Sequence, residues 1–201
     1  SKALTSGIGF LFKKNNITLV KGKATLKSST QIDVEGGDTL TAKNIVIATG
    51  ARAKSLPGLE IDGESIITSR HALELRVQPE AIAVIGASAI GCEFAYYFNS
   101  YGVNVKMFEM LGHLVPREDE EISVELERQF GKQGIEFAVS ASVSGVEKKD
   151  GRLAVQYEVN GEKEEFICDK VLLGVGVQPN TDSIGLENVG INTVGPGYIE
   201  V

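Results

Sequence analysis

Short, wholly apolar runs alternate with helical spacings over the middle of the chain. Ala81-Ile82-Ala83-Val84-Ile85 is apolar at every position, the pattern of a strand buried on both faces of a sheet. Ile90, Phe94, Tyr97, Phe98 and Tyr101 then recur at helical spacing, and Gly102 supplies a stop. Residues 103–109 predict a second strand. Ile122, Leu126 and Phe130 predict a second helix, acidic at its start from Glu118 to Glu121 as the helix dipole favours, and ended by Gly131 or Gly134. Strand-like stretches follow at 135–138, 142–148, 153–159 and 164–169, with Asp150-Gly151 and Asn160-Gly161 where tight hairpin turns are wanted. Residues 171–175 form a last buried-type run. The order β-α-β-α-β, a β-meander and a final strand predicts an α/β, Rossmann-like fold.

The flanks read differently. Leu4, Ile8, Leu11 and Phe12 predict a helix ended by Asn15-Asn16. Strand-like stretches are expected at 17–20, 24–27 and 31–34, the last followed by a turn at Gly36-Gly37-Asp38. The apolar run Asn44-Ile45-Val46-Ile47-Ala48, stopped by Gly50, is expected to be another buried strand. From Arg52 to Pro79 the pattern weakens. Turns are expected at Pro57-Gly58 and Asp62-Gly63, with a helix over 68–75 capped by Thr68 or Ser69, and the stretch reads as a connection between domains. Nothing after Asn180 reads as a helix, and Ile199-Glu200-Val201 reads as the inside of a strand.

Composition narrows the function. The chain has 201 residues, 42% hydrophobic and 23% charged, as an ordinary globular protein does. Its net charge of −7 argues against nucleic acid and anionic membrane as partners, since both need excess positive charge. It does not exclude an anionic cofactor, because backbone amides at a helix start bind phosphate without Lys or Arg. Cys92 and Cys168 stand alone, without CxxC or Cys/His spacing, so no metal site is expected and both thiols are expected to be buried and inert. No apolar run approaches the roughly 20 residues of a membrane span. No signal peptide is recognised, and a cytoplasmic location is expected.

The candidate chemistry lies at Gly86-Ala87-Ser88-Ala89-Ile90-Gly91, between the strand at 81–85 and the helix after it. The segment follows GxGxxG with Ser88 in the middle glycine's place. In such a loop the first glycine permits a tight turn, the second lets backbone approach a pyrophosphate, and the third lets helix and strand pack closely. The second strand ends in Glu109, 23 positions after Gly86, where a carboxylate accepts the hydroxyls of an adenine ribose and repels a 2′-phosphate. NAD(H) is therefore expected rather than NADP(H). Ser88 either crowds the pyrophosphate or donates a hydrogen bond to it.

On these motifs the chain resembles the middle of a pyridine nucleotide-disulfide oxidoreductase, most like the dihydrolipoamide dehydrogenase branch. The resemblance is carried by residues 45–51, 84–94, 108–111, 116–122 and 174–180. It implies an NAD-binding domain at 52–176, flanked by incomplete pieces of an FAD-binding domain at 1–51 and 177–201. It also implies that Glu93 bonds the nicotinamide-side ribose and that Val143 lines the adenine pocket. Gly176 would let the nicotinamide approach the flavin, and Thr49 and Gly50 would pack on the FAD side. Val177 departs from the family, which often has arginine there. The family's FAD phosphate loop, redox cysteine pair and acid-base pair are not recognised here, so no catalytic residue is assigned and an excised, inactive portion is expected. His71 and His113 are expected to be exposed surface histidines. The intact parent is expected to be a homodimer whose partner is a lipoyl domain of a 2-oxo acid dehydrogenase complex. A mercuric reductase, an NADH oxidase and a non-catalytic NADH-sensing module remain as alternatives.

Overall fold

The computed structural model describes residues 2–201, with side chains from Thr5 onward, so Leu4 of the first apolar spacing lies outside the described side chains. Two compact units are present, one made of residues 1–50 with 179–201 and the other of residues 51–178.

In the first unit, helix α1 (Lys2–Lys14) precedes an antiparallel sheet of β1 (Ala24–Ser28), β2 (Gln31–Val34) and β3 (Thr39–Thr41). Two expected strands are absent. Residues 17–20 and 44–48 join no ladder among the described residues, and Val46 is 87% exposed. An apolar run becomes a strand only where neighbouring backbone receives its N–H and C=O groups. Nothing described in this unit does so.

The second unit begins at β4 (Ala51–Ala53) and continues through β5 (Ile66–Ile67), α2 (Ser69–Ala72), β6 (Ala81–Ile85), α3 (Ala89–Ser100) and β7 (Asn104–Phe108). Helix α4 (Glu120–Lys132) and β8 (Glu136–Ala138) follow. The meander is β9 (Ser142–Lys149), β10 (Arg152–Val159) and β11 (Glu162–Cys168), after which come β12 (Lys170–Leu173) and β13 (Val177–Pro179), the last paired with β4. Five strands form one parallel sheet in the order β5-β12-β6-β7-β8. The expected α/β, Rossmann-like arrangement is therefore present. The weakly patterned stretch before Pro79 is part of this unit and not a mere connection. It supplies the edge strand β5, and Leu59 and Ala72 are buried in its cores.

Alternation along the sheet sorts its side chains into two cores. Ile82, Val84, Val105 and Met107 face Cys92, Ala95, Phe98 and Phe130 of the helices. Ala81, Ala83, Ile85, Phe108 and Val171 face Leu153, Val155, Tyr157 and Cys168 of the meander. One cation enters this second layer, and it is satisfied there. Lys106 Nζ donates to the Tyr157 hydroxyl at 2.8 Å and lies over that ring. The hairpin turns fall at Asp150-Gly151 and Asn160-Gly161, whose positive φ pairs of 51° with 82° and 54° with 80° suit type I′ geometry.

Helix α3 buries only part of the expected row, Phe98 closely and Phe94 partly, and leaves its tyrosines outside. Its inner row is Gly91, Cys92, Ala95 and Phe98, while the Tyr97 and Tyr101 rings, tilted by 50° with centroids 5.0 Å apart, lie on the exposed side. Small residues on the inner face let the helix lie close to β6. In α4 the buried face is Ser123 and Phe130, with Ile122 59% exposed, and Gly134 rather than Gly131 follows the helix end.

Back in the first unit, residues 179–201 include a 3-10 turn (Leu186–Val189) and the hairpin of β14 (Thr193–Val194) with β15 (Tyr198–Ile199). The turn is fastened to β1. Leu26 N donates to Ile184 O at 2.8 Å, and Asn188 Nδ2 donates to Leu26 O at 2.8 Å.

Candidate dinucleotide site

The loop between β6 and α3 is held by close backbone packing. Gly86 has φ 94°, a region that glycine enters without Cβ strain, and its N–H donates to Phe108 O at 2.8 Å. A Cβ at Gly86 would stand 2.7 Å from the Gly174 carbonyl oxygen, and one at Gly91 would overlap the Gly86 carbonyl oxygen. A Cβ at Gly174 would lie 3.1 Å from the Gly86 carbonyl oxygen and 3.2 Å from Gly91 Cα. Three glycines thus lock the loop, the start of α3 and the end of β12 together. The roles of Gly86 and Gly91 follow from their spacing. That of Gly174 was missed, although its Gly-x-Gly setting after a buried strand was a visible signal.

Ser88 is the N-cap of α3 in ordinary extended geometry, φ −71° and ψ 179°, so its backbone does not require glycine. Its side chain makes no cap bond to the helix. Instead Oγ donates to Gly174 O at 3.0 Å. An N-cap serine usually turns its oxygen toward the first-turn N–H groups, and here that position is left open. Ala89 and Ile90 are solvent-facing, with Ile90 36% exposed. Ala87 is fully buried and its backbone is spoken for. Its N–H donates to Glu109, and its carbonyl accepts from Val115 N at 2.8 Å.

Glu109 stands just beyond β7, 9% exposed. Its Oε2 accepts from Ala87 N at 2.8 Å and its Oε1 from Leu111 N at 2.9 Å. Each carboxylate oxygen has a second acceptor position, so a pair of vicinal hydroxyls can still be received. Ala141 N donates to Glu109 O at 2.9 Å, which brings the start of β9 to the same sheet end. Val143, half-buried, lies two residues further on. Gly176 is exposed with φ 97°, nothing would contact a Cβ there, and its carbonyl accepts from Lys54 N at 3.0 Å. Glu93 is exposed in the second turn of α3, where it lines a groove with Leu126 and Gln129 of α4.

In the first unit, Thr49 and Gly50 are gathered by a residue that sequence reasoning left without a role. Asn180 N donates to Gly50 O at 3.0 Å and Asn180 Nδ2 to Thr49 O at 3.1 Å.

Among known proteins, the chain matches the pyridine nucleotide-disulphide oxidoreductase family over residues 1–201. It belongs to that family. Among its relatives are the dihydrolipoyl dehydrogenase of Rhizobium etli, 38% identical with 96% of this chain and 44% of that protein covered, and the mitochondrial dihydrolipoyl dehydrogenase of Bos taurus, 38% identical with 100% and 41% covered. A solved structure, the HOCl-induced flavoprotein disulfide reductase RclA from Escherichia coli, superposes with a TM-score of 0.82 at 26% identity, covering all of this chain and 47% of that one. The chain spans less than half the length of these relatives.

Burial pushes the Cys92 thiol up to about 11, and burial does the same for Cys168. Both thiols are buried, as expected. His71 is not a free surface group but half-buried, with Nδ1 2.9 Å from Thr68 Oγ1 and accepting Thr68 N at 3.2 Å at the start of α2. His113 is partly exposed and reaches Glu127 Oε1 through Nδ1 at 3.2 Å. No helix among the described residues is long and apolar enough to cross a membrane.

Proposed function

We propose that residues 51–178 bind NAD(H), and that residues 1–50 and 179–201 belong to the FAD-binding part of the same flavoprotein. The observation that carries this reading is the buried Glu109 carboxylate, held by the Ala87 and Leu111 amides beside an uncapped helix start. A carboxylate fixed there accepts two ribose hydroxyls and repels a 2′-phosphate, which selects NAD(H). The first-turn amides of α3 receive the pyrophosphate, because the Ser88 side chain does not occupy them. The close contacts of Gly86, Gly91 and Gly174 fit this use, since they bring the helix start against the sheet where no Cβ intrudes. Val143 is assigned to the adenine side and Gly176 to the nicotinamide side, where backbone without a side chain admits a flat ring. Thr49 and Gly50 are assigned to the flavin side.

When bound, NAD supplies the hydride chemistry, and the residues of this chain supply binding and orientation. In the whole protein, the proposed sequence of electron transfer runs from dihydrolipoamide through a disulfide and FAD to NAD. Dihydrolipoamide is favoured by the 38% identity to dihydrolipoyl dehydrogenases against 26% to the disulfide reductase RclA. A lipoyl domain is the corresponding partner, and a homodimer the corresponding assembly. Backbone amide shifts of the chain titrated with NADH test the site. Shifts at residues 86–91, 109–111, 143 and 176 are expected, and shifts confined to other surfaces would refute the assignment.

A further inference from the structure

We propose that Ser88 is a positioning residue that holds the nicotinamide end of the site, and not a group that contacts the pyrophosphate. The inference rests on the NAD(H) reading above. The loop at 86–91 is fastened on two sides by different means. Toward β7 and the connection that follows it, the loop has three bonds: Gly86 N to Phe108 O, Ala87 N to Glu109 Oε2, and Val115 N to Ala87 O. Toward β12 it has the side-chain bond from Ser88 Oγ to Gly174 O at 3.0 Å, beside the bond from Gly174 N to Ile85 O at 2.7 Å that joins the ends of β12 and β6. Strand β12 ends at Leu173, so beyond Gly174 the chain leaves the sheet ladder. Val175 is half-buried, Gly176 is exposed, and a Cβ on Gly176 would touch nothing. The Ser88 hydroxyl therefore holds the Gly174 carbonyl at the near end of a short segment whose far end is held at Gly176, where the carbonyl accepts from Lys54 N at 3.0 Å.

This role explains why a serine is accepted where close approach favours glycine. The hydroxyl has one proton, and that proton is directed at Gly174 rather than at an incoming phosphate oxygen. The side chain is turned away from the first-turn amides, so the phosphate cradle stays open while the loop gains a link to residues 174–176. Losing the hydroxyl removes that link and leaves the three bonds toward β7 in place. The adenine and pyrophosphate contacts should then survive while the nicotinamide contacts weaken.

The 201-residue chain and its Ser88→Ala and Ser88→Thr variants are titrated calorimetrically with NADH and with ADP-ribose, which lacks the nicotinamide. Loss of one hydrogen bond predicts that Ser88→Ala weakens NADH about fivefold and leaves ADP-ribose unchanged within about twofold. Ser88→Thr, which keeps the hydroxyl, restores NADH binding. Ser88→Gly replaces Ser88→Ala should the latter not fold, as read by far-UV circular dichroism. Equal loss for both ligands, no loss for either, or failure of Ser88→Thr to restore binding overturns the inference while leaving the NAD(H) reading intact. An unsubstituted chain that binds no NADH overturns both.

Discussion

The carboxylate of Glu109 accepts the backbone proton of Ala87 at 2.8 Å across 22 positions of sequence. The residue proposed to choose the cofactor thus also pins the loop proposed to hold its phosphates. Glu109→Ala should therefore cost more than selectivity. It strands the Ala87 and Leu111 amides at a mostly buried sheet end, and such orphaned donors cost about 1–3 kcal/mol. Urea unfolding should show a loss of that size, and an unchanged midpoint would mean that solvent replaces both bonds freely.

The glycines make a graded prediction. Gly91→Ala places a methyl on the Gly86 carbonyl and should destabilise by about 1–3 kcal/mol while displacing α3 from β6. Gly131→Ala meets nothing and sits in the last turn of α4, so it should stabilise by at most about 0.5–1 kcal/mol, the gain of a helix interior. Thermal unfolding of the two variants checks the contrast, and similar effects of both would contradict it.

Asp169 ties the start of β6 to the end of the meander. Its Oδ2 accepts from Glu80 N at 2.8 Å and Ala81 N at 2.9 Å, and its Oδ1 faces Arg152 Nε at 2.8 Å. Burial pushes its pKa up, but the amides of Ala81 and Glu80 and the Arg152 charge together hold it below 3.8. A depressed folded pKa contributes stability that is present above the unfolded value and lost as pH falls through the folded one. The unfolding midpoint should therefore drop below about pH 4. Asp169→Asn should lower the midpoint at neutral pH and flatten that acid response. An acid response identical to that of the unsubstituted chain would assign it to other carboxylates.

Both thiols should be silent in the native chain. With pKa values raised to about 11 by burial, neither Cys92 nor Cys168 forms appreciable thiolate at neutral pH. A maleimide reagent at pH 7.5 should label neither thiol in buffer and both in denaturing urea. Rapid native labelling would show that one of these positions opens.

Much of the second unit was legible because its signals are local. The wholly apolar 81–85 run, the glycine loop and the two hairpin turns each specify their own backbone. The failures come from partners that periodicity does not see. The run at 44–48 has the composition of a buried strand and no described strand beside it. Helix α3 carries apolar residues on more than one face, and of the large aromatics Phe94 and Phe98 turn inward while Tyr97 and Tyr101 do not. Close packing selected Gly91, Cys92 and Ala95 for the inner row. Asn180 and Gly174 escaped notice because their importance lies in contacts 131 and 86 positions away, at Thr49 and Ser88. His71 was misread for a related reason, since a capping contact three residues long leaves no periodic trace.

The most direct test of the account is calorimetric titration of the chain with NADH and NADPH at one ionic strength. It predicts saturable NADH binding with NADPH weaker by an order of magnitude or more, about 1.4 kcal/mol or above, and loss of that preference in Glu109→Ala. Equal binding of the two dinucleotides by the unsubstituted chain, or tighter binding of NADPH, would contradict it.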